Sequence, residues 1–290
     1  MKIAVIGAKG MLGRELVKVL GSRHDLLAWD IDQIDITDRR GTLELLAAER
    51  PDLIVNSAVF VDLEGCEANP DKAWSINAVG AQNLALAAQQ AGSALVYLST
   101  DYIFDGRAET DYDEVARPNP LNQYGRSKLA GERLSLQICP RTYVVRTAWL
   151  FGHAPNNYVE RVLKAAEKEA VVRMPVDQLE SPTYTGHLAE AILHLIGTGA
   201  YGVYHVTGLG ACTRASFAQY VLQQAGRAEP VEIVEAAALK RFAQRPQRSV
   251  LDCRLYQLVT GHALPDWQQG VRDYLANAGK GGDDRNVLVY

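Results

Sequence analysis

The chain has no paired cysteines. Cys66, Cys139, Cys212 and Cys253 lie far apart among 290 residues with no C-x-x-C spacing. This argues against a zinc knuckle or a disulfide framework and fits thiols kept reduced in a cytoplasm. Runs of like charge are missing too: 30 basic and 34 acidic side chains are interspersed, giving a net charge of −4 and no basic field for nucleic acid. The apolar stretch in the opening MKIAVIG meets glycine at once, too short for a signal-peptide core or a membrane span. The protein is therefore expected to be cytoplasmic. Six histidines are scattered with no metal spacing, and His205, at the end of an expected strand, reads as a satisfied structural residue. Hydrophobic residues at 48% and charged residues at 22% are ordinary globular values.

What is present is an alternation. Short β-branched runs at Lys2–Ile6, Asp25–Trp29, Leu53–Asn56, Ala94–Ser99 and Thr142–Arg146 are separated by helical patterns near Met11–Gly21, Arg39–Arg50, Pro70–Ala91 and Tyr124–Leu136. The pattern predicts an α/β fold, a Rossmann-type doubly wound parallel sheet buried on both faces. After Phe151 the rhythm changes: a helix at Tyr158–Glu169, a loop at Pro175–Tyr184, a helix at His187–Ile196, a strand at Gly202–Val206 and a helix at Arg214–Gly226. The expected organisation is a dinucleotide-binding domain over residues 1–149, with 187–206 returning to it. A smaller α/β substrate domain would comprise 150–186 and 207–278, and the glycine-rich, charged 279–290 reads as a mobile tail.

Gly7-Ala-Lys-Gly10-Met11-Leu12-Gly13 directly follows the first strand and opens the first helix. That context suits a dinucleotide fingerprint: a tight turn, backbone approach to the pyrophosphate at a helix N-terminus, and close helix–strand packing. Asp30, after the second strand, is placed to accept hydrogen bonds from the adenosine ribose and to repel a 2′-phosphate, which favours NADH. Lys9 and Arg14 could offset that repulsion, so NADPH stays open, and a plain strand-end turn role is the alternative for Asp30. Asp38 reads as the cap of the second helix and Asp35 as a reach toward the adenine.

Ser99-Thr100-Asp101-Tyr102 follows the fourth strand, and Tyr124-Gly-Arg-Ser-Lys128 opens a helix. The Y-x-x-x-K spacing puts both side chains on one helical face. An ammonium beside a phenol should lower the phenol pKa from about 10 and make Tyr124 a proton donor. Thr100 can donate to the same carbonyl oxygen. Alone, Y-x-x-x-K describes many solvated pairs; joined to the Ser-Thr step and the glycine turn it describes a carbonyl reductase. Asp101 and Asp105 fit loop turns and caps better than a glycosidase-type acid pair.

Three longer segments, Ser99–Gly106, Pro120–Glu132 and Arg146–Gly152, resemble the dTDP-4-dehydrorhamnose reductases, a branch of the extended short-chain dehydrogenases. So do Asp177-Gln178 with Ser181-Pro182-Thr183, Gly202–His205, Arg245-Pro246 with Ser249–Asp252, and Leu264–Trp267; the likeness spans Met1 to about Leu275. It implies NADPH- or NADH-dependent reduction of a 4-keto sugar nucleotide, dTDP-4-dehydro-L-rhamnose to dTDP-L-rhamnose, with Thr100, Tyr124 and Lys128 as catalytic residues. It further implies a cofactor site of Gly7, Gly10, Met11, Leu12, Gly13, Asp30, Asp35, Ile36, Ala58, Val59 and Ser99. The sugar nucleotide would meet Phe60, Val61, Asp101, Tyr102, Trp149, Pro182 and Thr183 as well as Thr100. Some members of that family form a homodimer through a Mg2+ site on glutamates; Glu15 and Glu190 fall where two of those would sit, although surface helix glutamates are the plainer reading.

The chain departs from the family pattern in three places. Phe60-Val61 replaces two hydroxyl-bearing residues, Glu180 stands at a usual glycine, and Cys212–Ser216 lacks an aromatic before its helix. These changes spare the acid and the hydride path but alter the pocket, so a different 4-keto sugar nucleotide is one alternative. A non-catalytic nucleotide-binding subunit of the same fold is another, which the intact Thr100, Tyr124 and Lys128 oppose. An epimerase or dehydratase of the same superfamily is a third; a dehydratase would carry Asp-Glu after the threonine, where Asp101-Tyr102 stands.

Overall fold

Runs of apolar and β-branched residues with no polar face become strands when both of their faces are covered. Here β1 (Lys2–Ile6), β3 (Leu53–Asn56), β4 (Ala94–Thr100) and β5 (Thr142–Thr147) are such runs, buried almost throughout. With β2 (Asp25–Trp29) and β9 (Gly202–His205) they form one six-stranded parallel sheet, in the order β2-β1-β3-β4-β5-β9. These elements come from a computed structural model that describes residues 1–154, 157–168, 171–175, 178–234 and 242–277.

Helices cover both faces. On one side α1 (Met11–Gly21) packs against α8 (Thr185–Ile196), burying Leu12, Leu16, Leu20, Leu188, Ile192 and Leu195 against β1, β3 and β4. On the other, α2 (Arg39–Glu49), α5 (Ala81–Ala91) and α6 (Gln123–Ile138) pack in sequence. Strand order reverses between β1 and β3, so the crevice for a ligand lies at their carboxyl ends.

A second core lies outside the sheet. Phe151 and Tyr184, on the short paired strands β6 (Leu150–Phe151) and β8 (Thr183–Tyr184), pack with residues of three helices: Tyr158 of α7 (Tyr158–Lys168), Phe217 of α9 (Arg214–Gln224), and Trp267 and Tyr274 of α11 (Trp267–Asn277). The chain between α9 and α11 then returns to the main core. Tyr256, on α10 (Arg254–Thr260), is buried there with Leu264 and donates its hydroxyl to Ala191 O at 3.2 Å.

Several expected elements take other forms. The single helix expected at Pro70–Ala91 is three pieces: α4 (Pro70–Trp74), a π-helical turn at Ser75–Gly80, and α5. The wide turn seats Asn77, whose amide accepts from Phe60 N at 2.9 Å and donates to Phe60 O and Ser127 Oγ, both at 3.0 Å. A regular helix would have rotated that side chain off the loop it pins. A short helix, α3 (Leu63–Ala68), also precedes α4. The expected Pro175–Tyr184 loop is framed by β7 (Val172–Pro175), paired with an unanticipated β10 (Val231–Val234), and by β8. Asp177 and the 279–290 tail lie outside the described residues. Among the described residues no helix is long and apolar enough to cross a membrane.

Candidate active site

The glycine turn sits at the reversal between β1 and β3. Gly7 has φ of +81°, and a Cβ there would lie 2.7 Å from Ala58 N, at the carboxyl end of β3. A Cβ on Gly13 would lie 2.0 Å from Gly7 O, so α1 can approach the turn only because residue 13 is glycine. The result is a backbone cradle with the amino end of α1, including Met11 and Leu12, at its rim. Its shape suits a pyrophosphate.

Asp30 is committed to building this cradle. One carboxylate oxygen accepts from Lys9 N at 2.8 Å and the other from Ile31 N at 2.9 Å. Lys9 Nζ pairs with Asp32 at 2.6 Å and Arg14 Nε donates to Lys9 O at 3.0 Å. Asp35 is exposed, its Oδ1 accepting from Thr37 N and Oγ1 in a local turn, and Ile36 beside it is buried. Asp38 caps α2 through Gly41 N, as the sequence led us to expect. Ala58 is half-buried and Val59 exposed on the loop after β3.

At the carboxyl end of β4 the Ser99 hydroxyl donates to Glu132 of α6 at 2.9 Å within a buried network. Glu132 pairs with Arg146 at 2.5 Å, and Arg146 Nη1 lies 3.3 Å from His205 Nε2. Burial, and then Arg146, push the His205 pKa down to about 3. His205 is a neutral, fully buried structural residue that also contacts Tyr112 O at 3.0 Å. Asp105 likewise holds its loop, accepting from Asn119 at 2.9 Å, Tyr112 at 3.0 Å and Arg107 N at 3.1 Å.

Thr100 follows at the end of the strand. Its hydroxyl caps a 3-10 turn at Asp101–Ile103, donates to Asp101 at 3.1 Å, and lies against the Tyr124 phenol. Tyr124 stands in the first turn of α6, which Asn122 caps by accepting from Gly125 N at 2.8 Å. Lys128 follows one turn later, both side chains buried, with its ammonium 4.3 Å from the centre of the Tyr97 ring.

The electrostatics correct one expectation. The Tyr124 phenol is pushed above its ordinary value, chiefly by burial, with the Thr100 hydrogen bond opposing and Asp101 adding to the rise. Lys128 is not among the groups that shift it. Burial disfavours the ammonium itself and pulls it down to about 7, against the attraction of Glu132. The Y-x-x-x-K spacing brings the pair onto one face, but the cation stacks on Tyr97.

Asp101 is also more than a turn residue. Its carboxyl is buried and accepts from Ser249 Oγ at 2.5 Å, and burial followed by the Glu180 charge raises its pKa to about 8. Tyr102, edge-on to Tyr124 with ring centres 6.1 Å apart, donates to Glu180 at 3.1 Å. Trp149 adopts a φ of +38°, costly for a tryptophan, and packs on Phe217 and Tyr158. Pro182 and Thr183 lie in the same wall, where Thr183 Oγ1 accepts from Gly208 N at 3.1 Å. Phe60 is half-buried under Lys72, and Val61 is 60% exposed. Glu180, Arg214, Gln178 and Ser249 contact the candidate-site residues and carry no role in the sequence reading. The signal for the first was its departure from the family pattern.

A family model described as the RmlD substrate binding domain matches residues 1–279. The chain belongs to the dTDP-4-dehydrorhamnose reductase family. The dTDP-4-dehydrorhamnose reductase of Aggregatibacter actinomycetemcomitans is 33% identical over 291 residues, covering 96% of this chain and 99% of that protein. A dTDP-4-keto-6-deoxy-D-glucose reductase from Streptomyces niveus is 37% identical over 251 residues, 85% of this chain and 87% of its own. The crystal structure of dTDP-4-dehydrorhamnose reductase from Bacillus anthracis in complex with NADP superposes with a TM-score of 0.93 at 33% identity, covering 95% of this chain and 99% of that one. Like that family, the chain is an oxidoreductase of nicotinamide-cofactor type. Among the described residues no group of three or more His, Cys, Asp or Glu could hold a metal ion; Glu15 is buried near Lys18 and Glu190 is exposed.

Proposed function

We propose that the protein reduces the 4-keto group of dTDP-4-dehydro-L-rhamnose to give dTDP-L-rhamnose. The observation that carries this reading is a buried phenol, Tyr124, held against the Thr100 hydroxyl with Lys128 one helical turn on, at the same end of the sheet as the glycine cradle. Gly7, Gly10, Met11, Leu12 and Gly13 would hold the pyrophosphate of NADPH or NADH, with Asp30, Asp35, Ile36, Ala58, Val59 and Ser99 around the remainder. Bound there, the dinucleotide supplies hydride to the carbonyl carbon.

The chain's own residues handle the oxygen. With substrate bound, the Thr100 hydroxyl turns from Asp101 to donate a hydrogen bond to it, and Tyr124 delivers the proton as negative charge develops. A phenol raised by burial stays fully protonated until the substrate oxygen becomes basic, so it serves as a donor and wastes no proton on water. Lys128 would hold the nicotinamide ribose. Trp149, Tyr102, Asp101, Phe60, Val61, Pro182 and Thr183 line the sugar-nucleotide side.

Asp30 does not decide the cofactor by itself, because both of its oxygens are already engaged by backbone N–H groups. The apolar Phe60-Val61 step keeps a second sugar in play, the 4-keto-6-deoxy-D-glucose isomer carried on the same nucleotide. The test is turnover of each sugar nucleotide with NADPH and with NADH, followed by nicotinamide absorbance. Turnover should fall by about 10²–10⁴-fold in Tyr124→Phe. Dinucleotide binding with no oxidation in the wild type would favour a non-catalytic subunit and overturn the proposal.

A further inference from the structure

Two of the chain's departures from its family pattern meet in space. Glu180 stands on the loop before β8, and Arg214 opens α9 in the segment without an aromatic; Arg214 Nη2 lies 3.1 Å from Glu180 Oε2. The carboxylate side chain is 1% exposed and the guanidinium side chain 17%. A reciprocal backbone bridge fixes the two segments, Cys212 N to Glu180 O at 3.0 Å and Glu180 N to Cys212 O at 3.3 Å. Leu179 is stitched in turn to Gln247 and Ser249. The pair is therefore built into the fold.

Each member reaches a different side of the candidate site. Glu180 Oε1 accepts from the Tyr102 hydroxyl at 3.1 Å and from Gln178 Nε2 at 3.0 Å, and Gln178 Nε2 is also 3.0 Å from that hydroxyl. Tyr102 flanks Tyr124 edge-on. Arg214 sits 4.6 Å from the centre of the Trp149 ring and 5.4 Å from that of Tyr158. The tryptophan it covers has strained backbone and an indole N–H that is buried without a partner among the described residues. A strained residue persists only where its surroundings over-determine it.

We propose that Glu180 and Arg214 are positioning residues for the sugar-nucleotide reduction: one ion pair holds Tyr102 beside the acid and Trp149 against the substrate, locking the two aromatics in register. This rests on the reductase reading above. Neither residue touches the reacting atoms in this account; both act through the rings they hold. A buried pair of this kind brings little net stability over apolar side chains, but losing one partner strands the other, which makes it a better specifier of geometry than a source of affinity.

The test uses Arg214→Lys, Glu180→Gln and the double variant in the full-length protein. Arg214→Lys keeps the charge opposite Glu180 but loses the planar stack, and should raise KM for the sugar nucleotide about tenfold with the dinucleotide KM unchanged. Glu180→Gln should lower kcat as well, because Tyr102 loses its charged acceptor. The double variant should be no worse than the poorer single one. Additive losses, or lowered thermal stability with unchanged KM and kcat, would overturn the proposal. Calorimetric binding of dTDP-L-rhamnose separates this from the reductase reading. Weakened binding in Arg214→Lys with an inactive wild type sinks the reaction and keeps the pair; equal binding sinks the pair, and no binding to either protein sinks both.

Discussion

Two buried ion pairs, built from the same chemistry, lie near the carboxyl end of the sheet and hold different parts of the molecule. Glu132–Arg146 lies under the carboxyl end of the sheet with both side chains about 5% exposed, and its partners are Ser99, His205 and the Glu114 carbonyl. Glu180–Arg214 lies in the wall of the candidate site, and its partners are Tyr102, Gln178 and Trp149. The first pair is satisfied by interior partners and the second faces the aromatics proposed to meet substrate. Burial and charge alone do not mark a functional group; what the pair holds in place does.

The contrast breaks most visibly at Arg146. Arg146→Met should cost about 3–5 kcal/mol of stability, because Glu132 is left buried and unpaired. Denaturant unfolding measures that loss, while KM for the sugar nucleotide in the folded fraction should stay within about twofold. A KM change as large as that of Arg214→Lys would erase the distinction between the two pairs.

A second effect sharpens the same comparison through pH. His205 is held down to about 3 in the folded protein against 6.5 unfolded, so below pH 6.5 the unfolded chain binds a proton that the folded one does not. Its contribution is fully present above pH 6.5 and is lost as pH falls toward 3, at up to about 1.4 kcal/mol per pH unit. His205→Gln should remove that component, flattening the acid limb of the stability curve by one proton. An unchanged slope would mean that the imidazole is charged beside Arg146.

These regions also differ in how far the sequence revealed them. The sheet, the glycine cradle and the Thr100, Tyr124 and Lys128 positions follow from local rules: period-two and helical spacing, glycine where a Cβ would strike Ala58 N or Gly7 O, and i, i+4 geometry on α6. The π-helical turn that seats Asn77 has no such signature, since its residues read as ordinary helix. The Glu180–Arg214 contact spans 34 residues and depends on the Cys212 bridge, so no window of sequence contains it. Lys128 shows a subtler limit: spacing placed it on the right face, whereas the direction of its ammonium was set by Tyr97, 31 residues upstream.

The central claim is that hydride arrives at the sugar's C4 while Tyr124 supplies the proton to its oxygen. Reduction of the keto sugar with dinucleotide deuterated at nicotinamide C4, read by NMR of the product, should place one deuterium on sugar C4, and Tyr124→Phe should lose the labelled product. Deuterium absent from C4, or labelled product formed by Tyr124→Phe at close to the wild-type rate, would contradict the account.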